Sequence, residues 1–387
     1  MRVLVVNGPN LNLLGTRQPE IYGSTSLPQL RGLLSVWAAE MGIEVEEFQS
    51  NHEGALIDRL HSAPGTVDGV VINPGALTHY SYALHDALVA IEVPTVEVHI
   101  SNIQEREPWR RASVVSPACV YSIIGRGVAG YRWALRHLFF RAAAPFETHS
   151  YGPEPAQVGD LRRPAGAGPH PLAVLIHGGF WLDPWTRDLM DGLAVDLAGA
   201  GFVTWNVEYR RLGGGGGWPA TFLDAAGAIE AGAQFHGVDP SRMVVVGHSA
   251  GGHLALWAAA RRAAGGGSAA PGPPLVVGLG AVTDLPRAAE EGTGYGAVDR
   301  LLAGAGINPA EFSPFHMLPI GCQQLLAVGT EDAQVPPGFS RDYVSRALAA
   351  GDDASLLEIG GAGHFDFLDP NSPAWQEVRR QILSFFP

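Results

Sequence analysis

The stretch NGPNLNLLGTRQPEIY, residues 7–22, sets Arg17 five positions before the phenol of Tyr22, on a loop after the apolar run VLVV. A tyrosine removes a proton from carbon only when its pKa, about 10 in isolation, is brought down. A neighbouring guanidinium does this, because opposite charge favours the phenolate and arginine keeps its own proton. The pair reads as an activated base. A second stretch, EVHISNIQEREPWR at 97–110, supplies the complement. His99 ends a strand-like run and can act as acid toward a leaving hydroxyl. Glu97, two residues earlier on the same strand face, can orient or charge the imidazole. Ser101 and the N–H groups around it can hold an anion. Arg106 and Arg110, four apart, are expected to share a helix face. Phenolate base, imidazole acid and anion clamp together describe elimination of water beside a carbonyl on a carboxylate substrate.

A different chemistry begins at PLAVLIHGGFW, residues 171–181, and continues in RMVVVGHSAGGHLALWAAA, residues 242–260. The apolar run MVVV enters G-H-S-A-G and a helix follows, which is the pattern of a nucleophile elbow. Ser249 sits on the turn, and Gly247 and Gly251 leave room for close packing. The N–H of Ala250, with those around Gly179 and Phe180, is placed to form an oxyanion hole. A serine needs a base and the base an orienting acid. QLLAVGTEDAQVPP puts a strand before Asp332, and SLLEIGGAGHFDFLD puts one before His364. Asp332 is preferred to its neighbour Glu331 and to Asp284 in AVTDLP. His248 and His253 read as structural or pocket-lining residues.

These groups need elements to hold them. Residues 1–143 alternate strand and helix patterns: RVLVV, LPQLRGLLSVWAAEM, IEVEEFQS, EGALIDRLHSA, GVVIN, YSYALHDALVAI, TVEVHI, VYSIIG and AGYRWALRHLFFRAA. Five βα units imply an α/β domain with a parallel doubly wound sheet and a site beyond the carboxyl ends of its strands. Asn7, Asn10, Gln49, Asn51, Asn73, His99 and Ser101 all fall at those ends. The boundary is expected near Ala144, giving domains 1–144 and 145–387, with a Pro/Gly-rich linker near 145–170 whose middle could carry edge strands. AARRAAGGGSAAPGPP, residues 259–274, is expected to be a flexible surface loop. GRGVAG, residues 125–130, fits a dinucleotide fingerprint, but its helix leads into the linker rather than to a strand ending in an acid.

Composition narrows the chemistry further. The chain has 387 residues and a formal net charge of −13. Residues 1–144 hold 11 arginines against 13 acids, and residues 145–387 hold 14 against 25. That balance argues against nucleic acid as a partner. All 25 basic residues are arginine, so Schiff-base chemistry and the Gly-Lys-Ser/Thr phosphate loop are excluded. Cys119 and Cys322 are too few for a disulfide framework or zinc cluster. No apolar run reaches the roughly 18 residues of a membrane span, so a soluble, cytoplasmic protein with no membrane contact is expected.

NGPNLNLLGTRQPEIYG, FQSNHEGALID, INPGALTHYSYALHDA and VEVHISNIQEREPWR resemble, in order and spacing, the type II 3-dehydroquinate dehydratases. The resemblance implies a flavodoxin-like domain that converts 3-dehydroquinate to 3-dehydroshikimate without metal or cofactor, assembled as a dodecamer of trimers. By that resemblance Tyr22 takes the C2 proton, Arg17 lowers its pKa and His99 protonates the departing C1 hydroxyl. Asn10 positions the water that holds the enolate oxygen. Asn73, His79 and Arg110 contact substrate hydroxyls, and Ile100 and Ser101 clamp the carboxylate. Asp86 reaches a neighbouring subunit's site, and Arg106 belongs to a closing lid. Gln18 departs from the glutamate often found there. His85 is expected at the surface.

Residues from about 147 to the end look like an α/β-hydrolase of the esterase/lipase type, similar to kynurenine formamidase-like and hormone-sensitive-lipase-like enzymes. That implies a Ser249–His364–Asp332 triad acting on an ester or aryl amide. WNVEYRRLGGGGGWPATFLDA resembles the strand, loop and helix that shape the acyl pocket. The expectation is a bifunctional fusion of two enzymes. Competing readings keep the rear domain as a non-catalytic assembly module, or make the front a flavin-binding module.

Overall fold

Strands wholly out of water form the centre of the first sheet. GVVIN and TVEVH are buried at every position, each fully buried Val, Leu or Ile contributing about 1.5–3 kcal/mol. The computed structural model describes residues 1–103, 106–183, 185–265, 272–294, 296–303, 306 and 308–386. The chain divides into two units, Met1–Ala143 and Ala144–Pro387. No helix among the described residues is long and apolar enough to cross a membrane.

In the first unit β1 (Arg2–Asn7), β2 (Glu44–Gln49), β3 (Gly69–Asn73), β4 (Thr95–His99) and β5 (Tyr121–Ile124) form one sheet in the order β2-β1-β3-β4-β5. Every neighbouring pair is parallel. Register aligns Asn7 with Asn73 and His99 with Ile124, so polar residues collect at the carboxyl edge. A short α1 (Pro19–Tyr22) ends at Gly23 and carries the tyrosine. α2 (Leu27–Met41) starts at a reciprocal cap, Ser26 N–H to Gln29 Oε1 over 2.8 Å, and stops at Gly42 in the left-handed region. α3 (Glu53–His61), α4 (Tyr82–Ile91) and α5 (Ala129–Ala143) complete the layers.

The second unit holds β6 (Glu147–Ser150), β7 (Val158–Arg162), β8 (His170–Ile176), β9 (Val203–Val207), β10 (Val238–His248), β11 (Leu275–Leu279), β12 (Gln323–Gly329) and β13 (Ala354–Ile359). Their order is β13-β12-β11-β10-β8-β9-β7-β6. β6 and β7 run antiparallel to their neighbours and the remaining pairs are parallel. Helices α6 (Asp191–Gly199), α7 (Ala220–Gly232), α8 (Ala250–Ala263), α9 (Leu285–Glu290), α10 (Ala297–Leu301), α11 (Gly338–Ala349) and α12 (Pro373–Phe385) accompany the sheet.

The Pro/Gly-rich stretch after Ala144 carries the edge strands expected within it, as β6 and β7 of the second sheet. Of the expected loop at 259–274, residues 259–263 continue α8, as alanine favours helix, and residues 266–271 lie outside the described residues.

Candidate active sites

At the edge of the first sheet, Tyr22 meets two guanidinium groups. Arg17 Cζ lies 5.1 Å from the centre of the phenol ring, and Arg106 Cζ 5.7 Å. The hydrogen bond to the phenol oxygen comes from Arg106, whose Nη1 donates over 3.3 Å and also reaches Ser101 Oγ at 3.4 Å. That bond is the main cause holding Arg106 above the usual arginine range. Sequence reasoning gave the phenol to Arg17 alone, because Arg106 is 84 positions away. Arg106 and Arg110 share no helix: a one-turn 3-10 segment spans only Pro108–Arg110. Pro108 fixes that segment's start. Arg110 instead lies over the Trp109 ring at 4.0 Å, and both arginines contact Glu107.

His99 is 5% exposed at the end of β4. Its Nε2 lies 3.0 Å from Glu97 Oε1 but, among the described residues, finds no acceptor at a hydrogen-bonding angle, so the contact is electrostatic. Thr78 and Ser113 donate to Glu97 Oε1, the latter over 2.9 Å, and Ser122 donates to Oε2 over 3.1 Å. Burial pushes the Glu97 carboxyl up; His99, Thr78 and Ser113 outweigh it and hold it below the usual range. Glu97 therefore stays an anion beside the imidazole.

His79 Nδ1 bonds the Ala112 carbonyl at 2.8 Å, and its ring meets Trp109 edge-on. Burial lowers its pKa, against that carbonyl bond, and His99 and Arg110 lower it further. Asn73 is held by a buried chain that sequence reasoning missed. Its Nδ2 donates to Tyr131 OH at 3.0 Å, Tyr131 OH to Asn7 Oδ1 at 2.6 Å, and Asn7 Nδ2 to Glu47 Oε1 at 3.0 Å. The only hint was a run of polar residues at strand ends. Replacing Tyr131 by Phe strands two buried amides, and the first unit should lose about 1–3 kcal/mol of stability by denaturant titration.

Asn10 is exposed in the left-handed region, its N–H bonded to Asn51 Oδ1 at 2.9 Å. Asp86 is exposed on α4. His85, expected at the surface, is half-buried and tied to the Val114 carbonyl. The carbonyls of His99 and Ile100 accept from Gly125 and Gly127. The GRGVAG loop thus walls a cleft of about 540 Å³ shared with Tyr22, Ile100, Ser101 and Arg106.

In the second unit β10 turns into α8 through Ser249, whose φ of 55° is strained for a serine. A Cβ on Gly247 would stand 2.2 Å from the Gly251 carbonyl oxygen, and one on Gly251 2.1 Å from that of Ile176. Only glycine fits either place. Register sets Gly247 beside Ile176, which leads into His177-Gly178-Gly179, and Gly329 beside Ile359, which brings the loops of Asp332 and His364 together. His364 Nδ1 donates to Asp332 Oδ2 over 2.7 Å. Asp332 Oδ1 accepts the N–H of Gln334 and Val335 at 2.9 and 2.8 Å. A Cβ on Gly280 would lie within 3.0 Å of both dyad atoms, and Gly280 adds a φ of 51°. Asp284 instead caps α9, and Glu331 is exposed.

Gly179, Phe180 and Trp181 have φ of 104°, 50° and 59°, a strained backbone for the two aromatic residues. His177, beneath them, donates from Nε2 to Glu208 Oε1 over 2.8 Å and stacks on Tyr209. Burial pushes Glu208 up, but Arg211, His177 and Arg187 outweigh it and bring it to about 2. Sequence reasoning missed this buried support. His253 is buried against the Phe312 carbonyl, and burial lowers its pKa to about 4. Cys119 and Cys322 are free, with thiols pushed up by burial, Cys322 to about 12.

Comparison with known proteins agrees with this division. A model described as "Dehydroquinase class II" matches residues 1–139, "BD-FAE" matches 160–265, and "Prolyl oligopeptidase family" matches 219–387. The "Catabolic 3-dehydroquinase" of Aspergillus oryzae is 52% identical over 136 residues, covering 35% of this chain and 89% of the relative. The "3-dehydroquinate dehydratase" of Anoxybacillus flavithermus is 54% identical over 135 residues, covering 35% and 91%. Esterase B from Lactobacillus rhamnosis shares the fold, with a TM-score of 0.57 at 19% identity over 66% of this chain and 91% of that one. Carboxyl esterase 2 of Tuber melanosporum gives 0.52 at 18%, over 63% and 86%. Through residues 1–139 the chain belongs to the type II dehydroquinase family, and it carries behind that domain an α/β-hydrolase domain of esterase-like fold.

Proposed function

We propose that the first unit converts 3-dehydroquinate to 3-dehydroshikimate. The observation that carries this is Tyr22 between two guanidinium groups, beside a strand end bearing the Glu97–His99 pair. The Tyr22 oxygen, with Arg17 and Arg106 beside its ring, takes the C2 proton and leaves an enolate. Asn10 positions the water at the enolate oxygen. His99, with Glu97 3.0 Å from its Nε2, then gives a proton to the C1 hydroxyl, which departs as water. Ile100 and Ser101 clamp the carboxylate, Asn73, His79 and Arg110 meet the hydroxyls, and Arg106 closes over the cleft. The purified chain should produce the ultraviolet absorbance of dehydroshikimate; a flavin absorbance band instead would overturn the assignment.

The second unit acts as a serine hydrolase on an ester or aryl amide. Ser249 attacks, His364 takes its proton, and Asp332 holds the imidazole. The N–H groups of Gly179, Phe180 and Ala250 receive the oxyanion. The His364–Asp332 bond and the strained Ser249 backbone support this over a passive assembly module. Labelling at Ser249 by a fluorophosphonate separates the two.

The first unit assembles with copies of itself, by resemblance into a dodecamer in the cytoplasm. Tyr82, Asp86 and Val89 share one face of α4, with the Tyr82 and Val89 side chains 69% and 55% exposed. Such a face suits a subunit contact that delivers Asp86 to a neighbour's cleft. Sedimentation should show an oligomer; a monomer with full dehydratase activity would refute the contact.

A further inference from the structure

The residue immediately before the nucleophile holds the loop that carries the base. His248 Nε2 donates to the backbone carbonyl of His364 over 3.0 Å, and the two rings lie 4.6 Å apart. His248 is buried, as are Ser249, Asp332 and His364. On its other side the ring is backed by the loop that follows β8: a Cβ on Gly178 would fall 2.8 Å from His248 Nδ1. That Nδ1 has no hydrogen-bond partner among the described residues. A proton there would leave a buried donor unsatisfied, so the ring is neutral with its hydrogen on Nε2. Burial and the neighbouring His364, against the carbonyl bond, lower its pKa well below the usual histidine value, in keeping with that form.

The loop needs holding. His364 follows Gly360, Gly361 and Gly363, and Gly361 has a φ of 73°. Glycine leaves such backbone soft. Gly361 N–H donates to Thr330 Oγ1 over 2.9 Å, Glu331 N–H to the Ala362 carbonyl over 3.0 Å and Gly363 N–H to Asp366 Oδ2 over 2.7 Å, and the Asp332 bond fixes the imidazole at Nδ1. The His248 bond adds a hold at the backbone of His364 itself, on the carbonyl of the residue whose ring Asp332 orients.

We infer that His248 is a positioning residue of the hydrolase site, clamping the backbone of His364 so that its imidazole meets Ser249. The inference rests on the hydrolase reading above. The ring takes no part in proton transfer, because its one hydrogen is committed to the carbonyl. The clamp also ties three parts of the site together: the turn before α8 carries the ring, the loop after β8 backs it, and the loop bearing His364 accepts its bond.

The test uses the full chain, 4-nitrophenyl acetate and a fluorophosphonate probe. His248→Leu keeps the volume and loses the donor; His248→Gln keeps a donor. His248→Leu should lower kcat about 10- to 100-fold with KM changed less than about twofold, and slow Ser249 labelling in parallel. His248→Gln should recover most of that loss, a rescue that a purely space-filling role would not give. Wild-type kcat in His248→Leu, or equal loss in both variants with a raised KM, would overturn the clamp. Wild-type protein that does not label at Ser249 would overturn the hydrolase reading itself, a separate outcome.

Discussion

Ser249→Ala should lower ester hydrolysis by about 10⁶ in kcat and abolish fluorophosphonate labelling, while dehydroquinate turnover stays at the wild-type rate. The size of the loss follows from the geometry. Ser249 sits on a strained turn between β10 and α8, with glycines on both sides that admit no side chain. The dyad behind it, His364 on Asp332, has nothing to deprotonate once the hydroxyl is gone. Residual activity is that of the oxyanion hole acting on water, so KM should change little. Hydrolysis kinetics on a 4-nitrophenyl ester and peptide mapping of the labelled protein supply the two readings.

Tyr22→Phe should reduce dehydration about 10²- to 10⁴-fold in kcat, read as the appearance of dehydroshikimate. Phenylalanine keeps the ring, and with it the contact to the Arg17 guanidinium. It removes one oxygen, and so both the proton acceptor and the partner of Arg106 Nη1. Groups proposed to bind substrate, among them Asn73, His79 and Arg110, stand on other elements and are untouched. KM should therefore shift far less than kcat, and ester hydrolysis should not change. A Tyr22→Phe chain that still dehydrates at near the wild-type rate would move the base elsewhere.

Much of this was legible in the sequence, for reasons visible in particular residues. GVVIN reads as a strand because all five of its residues are buried, and LPQLRGLLSVWAAEM reads as a helix because Ser26 and Gly42 punctuate it. The elbow, HGG and dyad motifs are local, so each announced itself. β6 and β7 were harder. ETHS and VGDLR are polar, yet Asp160 and Arg162 are buried because Arg187 and Asp191 pair with them. Hydrophobic periodicity does not register a strand buried by ion pairing. Contacts across long separations were also out of reach. The Asn73–Tyr131–Asn7–Glu47 chain joins four elements, and the Arg106 bond to Tyr22 depends on where a loop folds back. Spacing shows which residues share a face; it does not show which faces meet.

One polypeptide carrying two complete and separate catalytic sets is the claim most exposed to measurement. The most direct test follows dehydroshikimate formation by the full chain before and after complete fluorophosphonate modification, with the modified residue located by peptide mapping. Modification confined to Ser249, hydrolysis lost and dehydration unchanged is the expected result. Loss of dehydration together with hydrolysis, or hydrolysis surviving full modification of Ser249, would contradict it.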